Sequence, residues 1–133
     1  MITNSKILCD ADFIIALLLD TDSNHAKALE LYNKFEFNQF FVMNITLYEV
    51  ATVLSRLLPQ FEAIEVLSLV RQKFDNPVIF DPKWENSVYE LYKTFTKKNI
   101  SFFDCGCLIF AKKVNAKIAS FDSFYPVELL VQL

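Results

Sequence analysis

Two carboxylates, Asp10 and Asp12, interrupt the otherwise apolar run ILCDADFIIALLL at residues 7–19. An unpaired buried carboxylate is costly, so something must neutralise these acids. Three further acids stand in comparable places. Asp122 follows the apolar segment KIASF, and Thr46-Leu-Tyr-Glu49 and Ser101-Phe-Phe-Asp104 each set a hydroxyl three residues before an acid. Each acid has an ordinary structural explanation. The two hydroxyl–acid pairs match capping boxes, which tie up free N–H groups at a helix start. Acids near helix N-termini are also favoured by the dipole. Asp12 fits an N-cap and Asp122 a turn. As a set the acids suggest more. Clustered carboxylates repel, and a divalent cation relieves that repulsion. All-oxygen donors suit Mg²⁺ or Mn²⁺ over zinc.

Other chemistries find little support. The single histidine, His25, lies at a polar helix start and reads as a surface or packing residue. Nothing offers it a Ser-His-Asp or Cys-His partnership. Cys105 and Cys107 are two apart on an expected helix, so they do not share a face. They read as small core residues flanking Gly106, which permits close helix packing at some cost in helix propensity. With one glycine in the chain, a Gly-rich phosphate loop is excluded.

The elements that would carry the acids are short apolar strands alternating with helices. Lys6–Cys9, Phe40–Met43, Val78–Phe80 and Lys117–Phe121 are expected strands. A helix follows Asp10. The second helix is SNHAKALELYNKF, capped by Ser23, with Ala26, Leu29 and Phe35 on one face. The third runs from near Thr46 to Leu58, and Pro59 separates it from the next, which continues through Phe74. Asp81-Pro82 opens a long helix to about Lys98, and another spans roughly Phe102 to Asn115. Such alternation implies a parallel sheet covered on both faces. In that architecture ligands bind outside the carboxyl ends of the strands, the edge that also holds the following helix N-termini. Asp10, Glu49, Asp104 and Asp122 all fall on it.

The 133 residues suit a single domain, 1–133, without repeat, linker or low-complexity tract. Hydrophobic residues make up 53% of the chain and include 14 Phe. This surplus points to an apolar interface with another chain rather than to codon bias alone. No apolar run approaches the roughly 20 residues of a membrane helix. The start, MITNSKILCD, meets an acid too early for a secretory signal. Three cysteines without framework spacing fit free thiols in a reducing cytoplasm. The net charge of −3 argues against a nucleic-acid-coating protein, but without the five acids above it becomes +2. Lys93, Lys97 and Lys98, then Lys112, Lys113 and Lys117, read first as helix-end and solvated surface charge. With Arg56 and Arg71, they are also candidate nucleic-acid contacts.

At the four acids the chain resembles the PIN-domain family, and within it the VapC-type toxins. The stretches that carry the resemblance are ILCDADFIIALLL, ITLYEVATVLSR and SFFDCGCLIFAKKVNAKIASFDSF, spanning Ile7 to Phe124. The resemblance implies a three-layer α/β/α fold with a mostly parallel sheet of four or five short strands. It implies a metal-dependent endoribonuclease that leaves a 5′-phosphate and a 3′-hydroxyl, and for the toxin branch a cognate antitoxin and a homodimer. Carried onto this sequence, the acids are Asp10, Glu49, Asp104 and Asp122, which would hold one or two Mg²⁺ or Mn²⁺. Ser120 opens the closing Ser-x-Asp motif and is a candidate to orient water or a phosphate oxygen. The chain departs from the pattern at Ala11 and Asp12, where Thr or Ser and then Asn or Ser are usual, so Asp12 is an accessory acid or a helix cap. Cys105-Gly106-Cys107 is unusual after the third acid, and the tail after Asp122 is short for a final edge strand.

Two rivals remain at the level of sequence. A PIN-like module that binds RNA or protein without cutting would carry the same motifs. ILCDADFII also nearly fits the haloacid-dehalogenase phosphatase signature, but Ile14 replaces its Thr or Val and the later acidic metal motif is absent.

Overall fold

A computed structural model of the chain describes residues 5–132. Met1–Asn4 and Leu133 lie outside the described residues, as do the parts of the single-domain and signal readings that rest on them.

Among the described residues three strands form a parallel sheet: β1 (Ile7–Cys9), β2 (Phe40–Phe41) and β3 (Lys117–Ala119), in the order β2-β1-β3. Ile7 pairs with Phe40 on one side and Lys117 on the other, and Cys9 with Ala119. Among the described residues six α-helices surround the sheet: α1 (Ala11–Leu18), α2 (His25–Lys34), α3 (Asn44–Leu57), α4 (Gln60–Lys73), α5 (Glu85–Tyr92) and α6 (Phe102–Val114).

β1 is central because its residues are apolar on both faces. Ile7 and Cys9 enter a core built with α1 to α4, where Phe13, Val50, Leu54 and Val70 are buried. Leu8 points the other way, into a core with Met43, Phe110 and Ile118. Alternating side chains feeding two cores define a sheet layered between helices, as expected. Phe13 stacks on Phe40 at 6.0 Å, and burial of a phenylalanine of this kind contributes about 2–3 kcal/mol. α6 passes close to α3 because Gly106 has no side chain. A Cβ there would stand 3.2 Å from Ile45 Cδ1.

The sheet has fewer strands than the sequence suggested. Val78 meets Met43 in one parallel bridge, and Leu130 meets Ile118 in another. At Val78 the ladder stops because α3 begins at Asn44, whose Oδ1 accepts the Phe80 N–H at 2.9 Å. Within the short tail, the Val131 N–H donates to the Ile118 carbonyl at 2.9 Å, so an edge contact forms without a strand.

Helix boundaries also differ. α2 buries Ala28 and Leu31, leaves Ala26 and Leu29 exposed, and has Asn24 rather than Ser23 at its N-cap. α3 begins two residues before Thr46 with Met43 at the N-cap, so Thr46 and Glu49 form no capping box. The long helix expected over 82–98 is a 3-10 turn at Pro82–Trp84 followed by α5, which ends at Tyr92. A Thr94 hydroxyl bond to the Leu91 carbonyl and positive φ at Asn99 mark the break. Among the described residues, no helix is long and apolar enough to cross a membrane.

Candidate active site

The chain turns directly from β1 into α1 at Asp10, whose extended backbone makes it the N-cap. Asp10 Oδ1 accepts the Ala11 N–H at 2.8 Å. The cap is thus Asp10, not Asp12. β3 ends beside it, and the Asp10 N–H donates to the Ala119 carbonyl at 3.0 Å. This pairing sets Ser120 against both early acids. Ser120 Oγ lies 3.2 Å from Asp10 Oδ2 and 3.1 Å from Asp12 Oδ2. The hydroxyl has one proton and can donate to one carboxylate at a time. Asp12 Oδ2 also accepts the Phe121 N–H at 2.9 Å.

Asp122 completes the turn. Its N–H donates to Ser120 Oγ at 3.0 Å, and its Oδ1 accepts the Phe124 N–H at 2.9 Å. The turn delivers Tyr125, only 3% exposed, whose hydroxyl donates to Asp10 Oδ2 at 2.9 Å. On the other side of Asp10, the Cys107 thiol reaches Oδ1 at 3.9 Å, and Thr46 Oγ1 lies 3.8 Å from that sulfur.

Asp104 stands at the N-terminus of α6 in a realised capping box. Its Oδ2 accepts the Ser101 N–H at 3.1 Å, and Ser101 Oγ accepts the Asp104 N–H at 3.0 Å. Glu49 projects from α3, and its Oε1 is buried without a hydrogen-bond partner, as is Asp12 Oδ1. The structure therefore joins Asp10, Asp12, Ser120 and Asp122 by hydrogen bonds. Glu49 and Asp104 join through electrostatics rather than direct bonds.

That coupling is visible in the acids' proton affinities. Burial, then the charges of Asp12, Asp104 and Glu49, push Asp10 up to about 8. Burial, then Asp104, Asp12 and Asp122, push Glu49 up to about 7. Burial raises Asp12 to about 6, although the bonds from Phe121 and Ser120 hold it back. Asp104 is raised by burial and by Asp122 against the opposing bonds from Ser101. Burial also drives Tyr125 and Cys107 upward, so both remain protonated donors. Among the described residues the one ion pair is Lys93–Glu90, so no lysine or arginine neutralises the cluster. Nor do any three His, Cys, Asp or Glu side chains among them close into a ready-made metal cage.

Sequence reasoning missed Tyr125, Cys107 as a donor, and Thr46 behind it. The position of Tyr125, three residues beyond Asp122 in a turn, was the available signal. The remaining expectations divide by location. His25 Nδ1–H donates to the Ala16 carbonyl at 2.7 Å, a packing role. Cys105 and Cys107 are buried free thiols. Lys117 begins β3 at the far edge of the sheet, and Lys112 and Lys113 end α6 there, Lys113 over the Trp84 ring. Arg56 ends α3 on the same far side. Arg71 instead lines a groove of about 830 Å³ with Asn44 and Tyr48, near the acid edge.

A family model described as the PIN domain matches residues 7–125. No curated protein matches the sequence. Among solved structures, Mycobacterium tuberculosis VapC20, described as a sarcin-ricin loop cleaving toxin, superposes with a TM-score of 0.80 at 19% identity, covering 96% of this chain and 98% of that one. FitAcB from Neisseria gonorrhoeae gives 0.67 at 18% identity, covering 88% of each chain. PAE2754 from Pyrobaculum aerophilum gives 0.63 at 18% identity, covering 92% of this chain and 78% of that one. At these identities the structural likeness speaks to the fold.

Proposed function

The chain belongs to the PIN-domain family, and from that premise we propose that it is a divalent-metal-dependent endoribonuclease, the toxin of a toxin–antitoxin pair. The observation that carries this reading is the pair of buried, unpartnered oxygens, Asp12 Oδ1 and Glu49 Oε1, within a carboxylate cluster that no basic side chain among the described residues neutralises. Such a donor set fits a hard cation such as Mg²⁺ or Mn²⁺.

In this reading Asp10, Glu49, Asp104 and Asp122 are the metal-binding and catalytic acids, with Asp12 and Ser120 accessory. When bound, the cation would lower the pKa of a coordinated water and offset charge on the phosphoryl oxygens. The chain's own groups do the rest. Tyr125, Ser120 and Cys107 fix the orientation of Asp10. Ser120 donates its one proton to Asp10 or to Asp12, and its oxygen accepts the Asp122 N–H. Raised proton affinity at Asp10 and Glu49 means that metal uptake displaces protons at neutral pH.

The toxin reading draws on VapC20, described as a toxin, as the relative in fold. A cytoplasmic setting accords with three free thiols. A homodimer or an antitoxin complex accords with the exposed apolar side chains of α3 and α4, including Leu57, Phe61 and Ile64. Light scattering at micromolar concentration tests the dimer, and a monomer would remove that part of the proposal. The enzymatic part is tested by incubating a structured RNA pool with the protein and Mg²⁺, Mn²⁺ or EDTA. Metal-dependent cutting is expected. Tight RNA binding without cutting would instead support a silent binding module.

A further inference from the structure

We propose that Tyr89 and Tyr92, with Lys93 and Lys97, form a stacking subsite that holds unpaired nucleotides beside the carboxylate cluster. The identity of the ligand as RNA rests on the ribonuclease reading above; the placement of the subsite does not.

α5 and α6 pack against each other; Trp84, just before α5, meets Phe110 and Tyr92 meets Phe102, so the end of α5 lies beside the start of α6, where Ser101 and Asp104 sit. Three ring contacts connect this corner to the acids. The Tyr92 ring meets Phe102, the first residue of α6, at 6.2 Å. The Phe95 ring meets Phe124 at 5.1 Å, and Phe124 meets Tyr125 at 5.1 Å, whose hydroxyl holds Asp10. The surface is thus linked to the start of α6, which carries Asp104, through Phe102, and to Asp10 through the chain Phe95–Phe124–Tyr125.

Its composition fits a single strand. Tyr89 is 50% exposed and Tyr92 is 42% exposed. Hollows of about 240 and 340 Å³ flank Tyr89, the first also lined by Tyr92, Lys93 and Lys97. Lys93 Nζ stands 5.3 Å over the Tyr89 ring. Its 3.2 Å pair with Glu90 is solvent-exposed on both sides and leaves the cation able to meet a phosphate. Residues 83–98 carry four lysines and two glutamates in a chain of net charge −3. Exposed rings interleaved with lysines supply base stacking and backbone attraction together. The core of a protein interface is instead depleted of lysine. In a duplex the base faces are already stacked, so the tyrosines would gain nothing from one.

The test is fluorescence anisotropy with the full chain in EDTA, using a short fluorescein-labelled single-stranded RNA of mixed sequence and the same strand in a duplex. Tyr89→Ala/Tyr92→Ala is expected to weaken single-strand binding by about tenfold or more. Tyr89→Phe/Tyr92→Phe keeps the stacking faces and is expected to bind as the parent does. Lys93→Gln/Lys97→Gln, at exposed positions that do not threaten folding, is expected to flatten the logarithmic salt dependence by about 1. The duplex is expected to bind more weakly. Unchanged binding by the alanine variant, equal loss in the phenylalanine variant, an unaltered salt slope, or a preference for duplex would each overturn the subsite. Capture of a protein partner by these tyrosines, with RNA binding indifferent to them, would overturn it too. Metal-dependent cutting that ignores the patch would sink the subsite alone. Patch-dependent binding with no cutting in any metal would sink the nuclease reading alone.

Discussion

Tyr125 donates its hydroxyl to Asp10 Oδ2 at 2.9 Å, joining residues 115 apart in the chain. The bond spans the beginning and the end of the site, and its donor is almost fully buried. Tyr125→Phe keeps the ring but leaves Asp10 Oδ2 with Ser120 alone. The metal-free protein should lose about 1 kcal/mol, seen as a melting temperature lower by a few degrees. Mn²⁺ affinity, measured by calorimetric titration, should fall about tenfold, the usual scale for removing a group that orients a ligand. Unchanged Mn²⁺ affinity would leave Tyr125 a packing residue.

The pH dependence of stability has a definite sign. Unfolded Asp and Glu titrate near 4, whereas burial and mutual repulsion raise Asp10 to about 8, Glu49 to about 7 and Asp12 to about 6 in the folded chain. Between roughly pH 4 and 8 the folded state holds more protons than the unfolded state, so stability falls as pH rises. Thermal melts in EDTA should therefore show a lower melting temperature at pH 8 than at pH 5. Added Mn²⁺ should raise it far more at pH 8, where it has fewer protons to displace. A metal-free melting temperature that climbs from pH 5 to pH 8 would contradict this balance.

Asp12 separates charge from shape. Its Oδ1 is buried and unpartnered, while its Oδ2 accepts from Phe121 and Ser120. Asp12→Asn removes the charge and keeps an oxygen for the Phe121 N–H. At pH 8 the metal-free variant should be more stable than the parent by about 3 kcal/mol, and at pH 5 by about half of that. Denaturant melts at the two pH values measure this. RNA cleavage should fall less than in Asp10→Asn; an equal fall would make Asp12 a full member of the catalytic set.

Gly106 tests the packing of α6 on α3. An added Cβ would press on Ile45 Cδ1 at 3.2 Å, the mobile end of a side chain, with Phe80 Cε2 at 3.8 Å. Alanine also gains about 1 kcal/mol of helix propensity. The two effects oppose, so Gly106→Ala should stay within about 1 kcal/mol of the parent in a denaturant melt. A larger loss would mean that Ile45 cannot yield.

The layered fold and the acid edge were legible because strong local patterns carried them. β1 is a short apolar run ending in an acid, and Asp10 had to sit where the chain turns. The Ser101–Asp104 box was read correctly because both bonds are local. The Thr46–Glu49 box has the same spacing, but α3 starts earlier, and tertiary contact draws Thr46 toward Cys107. The Val78 strand reduces to one bridge because the Asn44 side chain takes the next backbone donor. The Asp10–Tyr125 bond depends on the turn at Asp122, and one of five tyrosines bears no periodic mark of such a role.

The most direct measurement is cleavage of a structured RNA pool by the purified chain in Mg²⁺, Mn²⁺ or EDTA, beside Asp10→Asn/Asp104→Asn. The account expects cutting with metal, none in EDTA, and none from the double variant although it remains folded. Cutting that persists in EDTA or in the folded double variant would contradict it, as would intact RNA after Mn²⁺ binding by the parent has been measured.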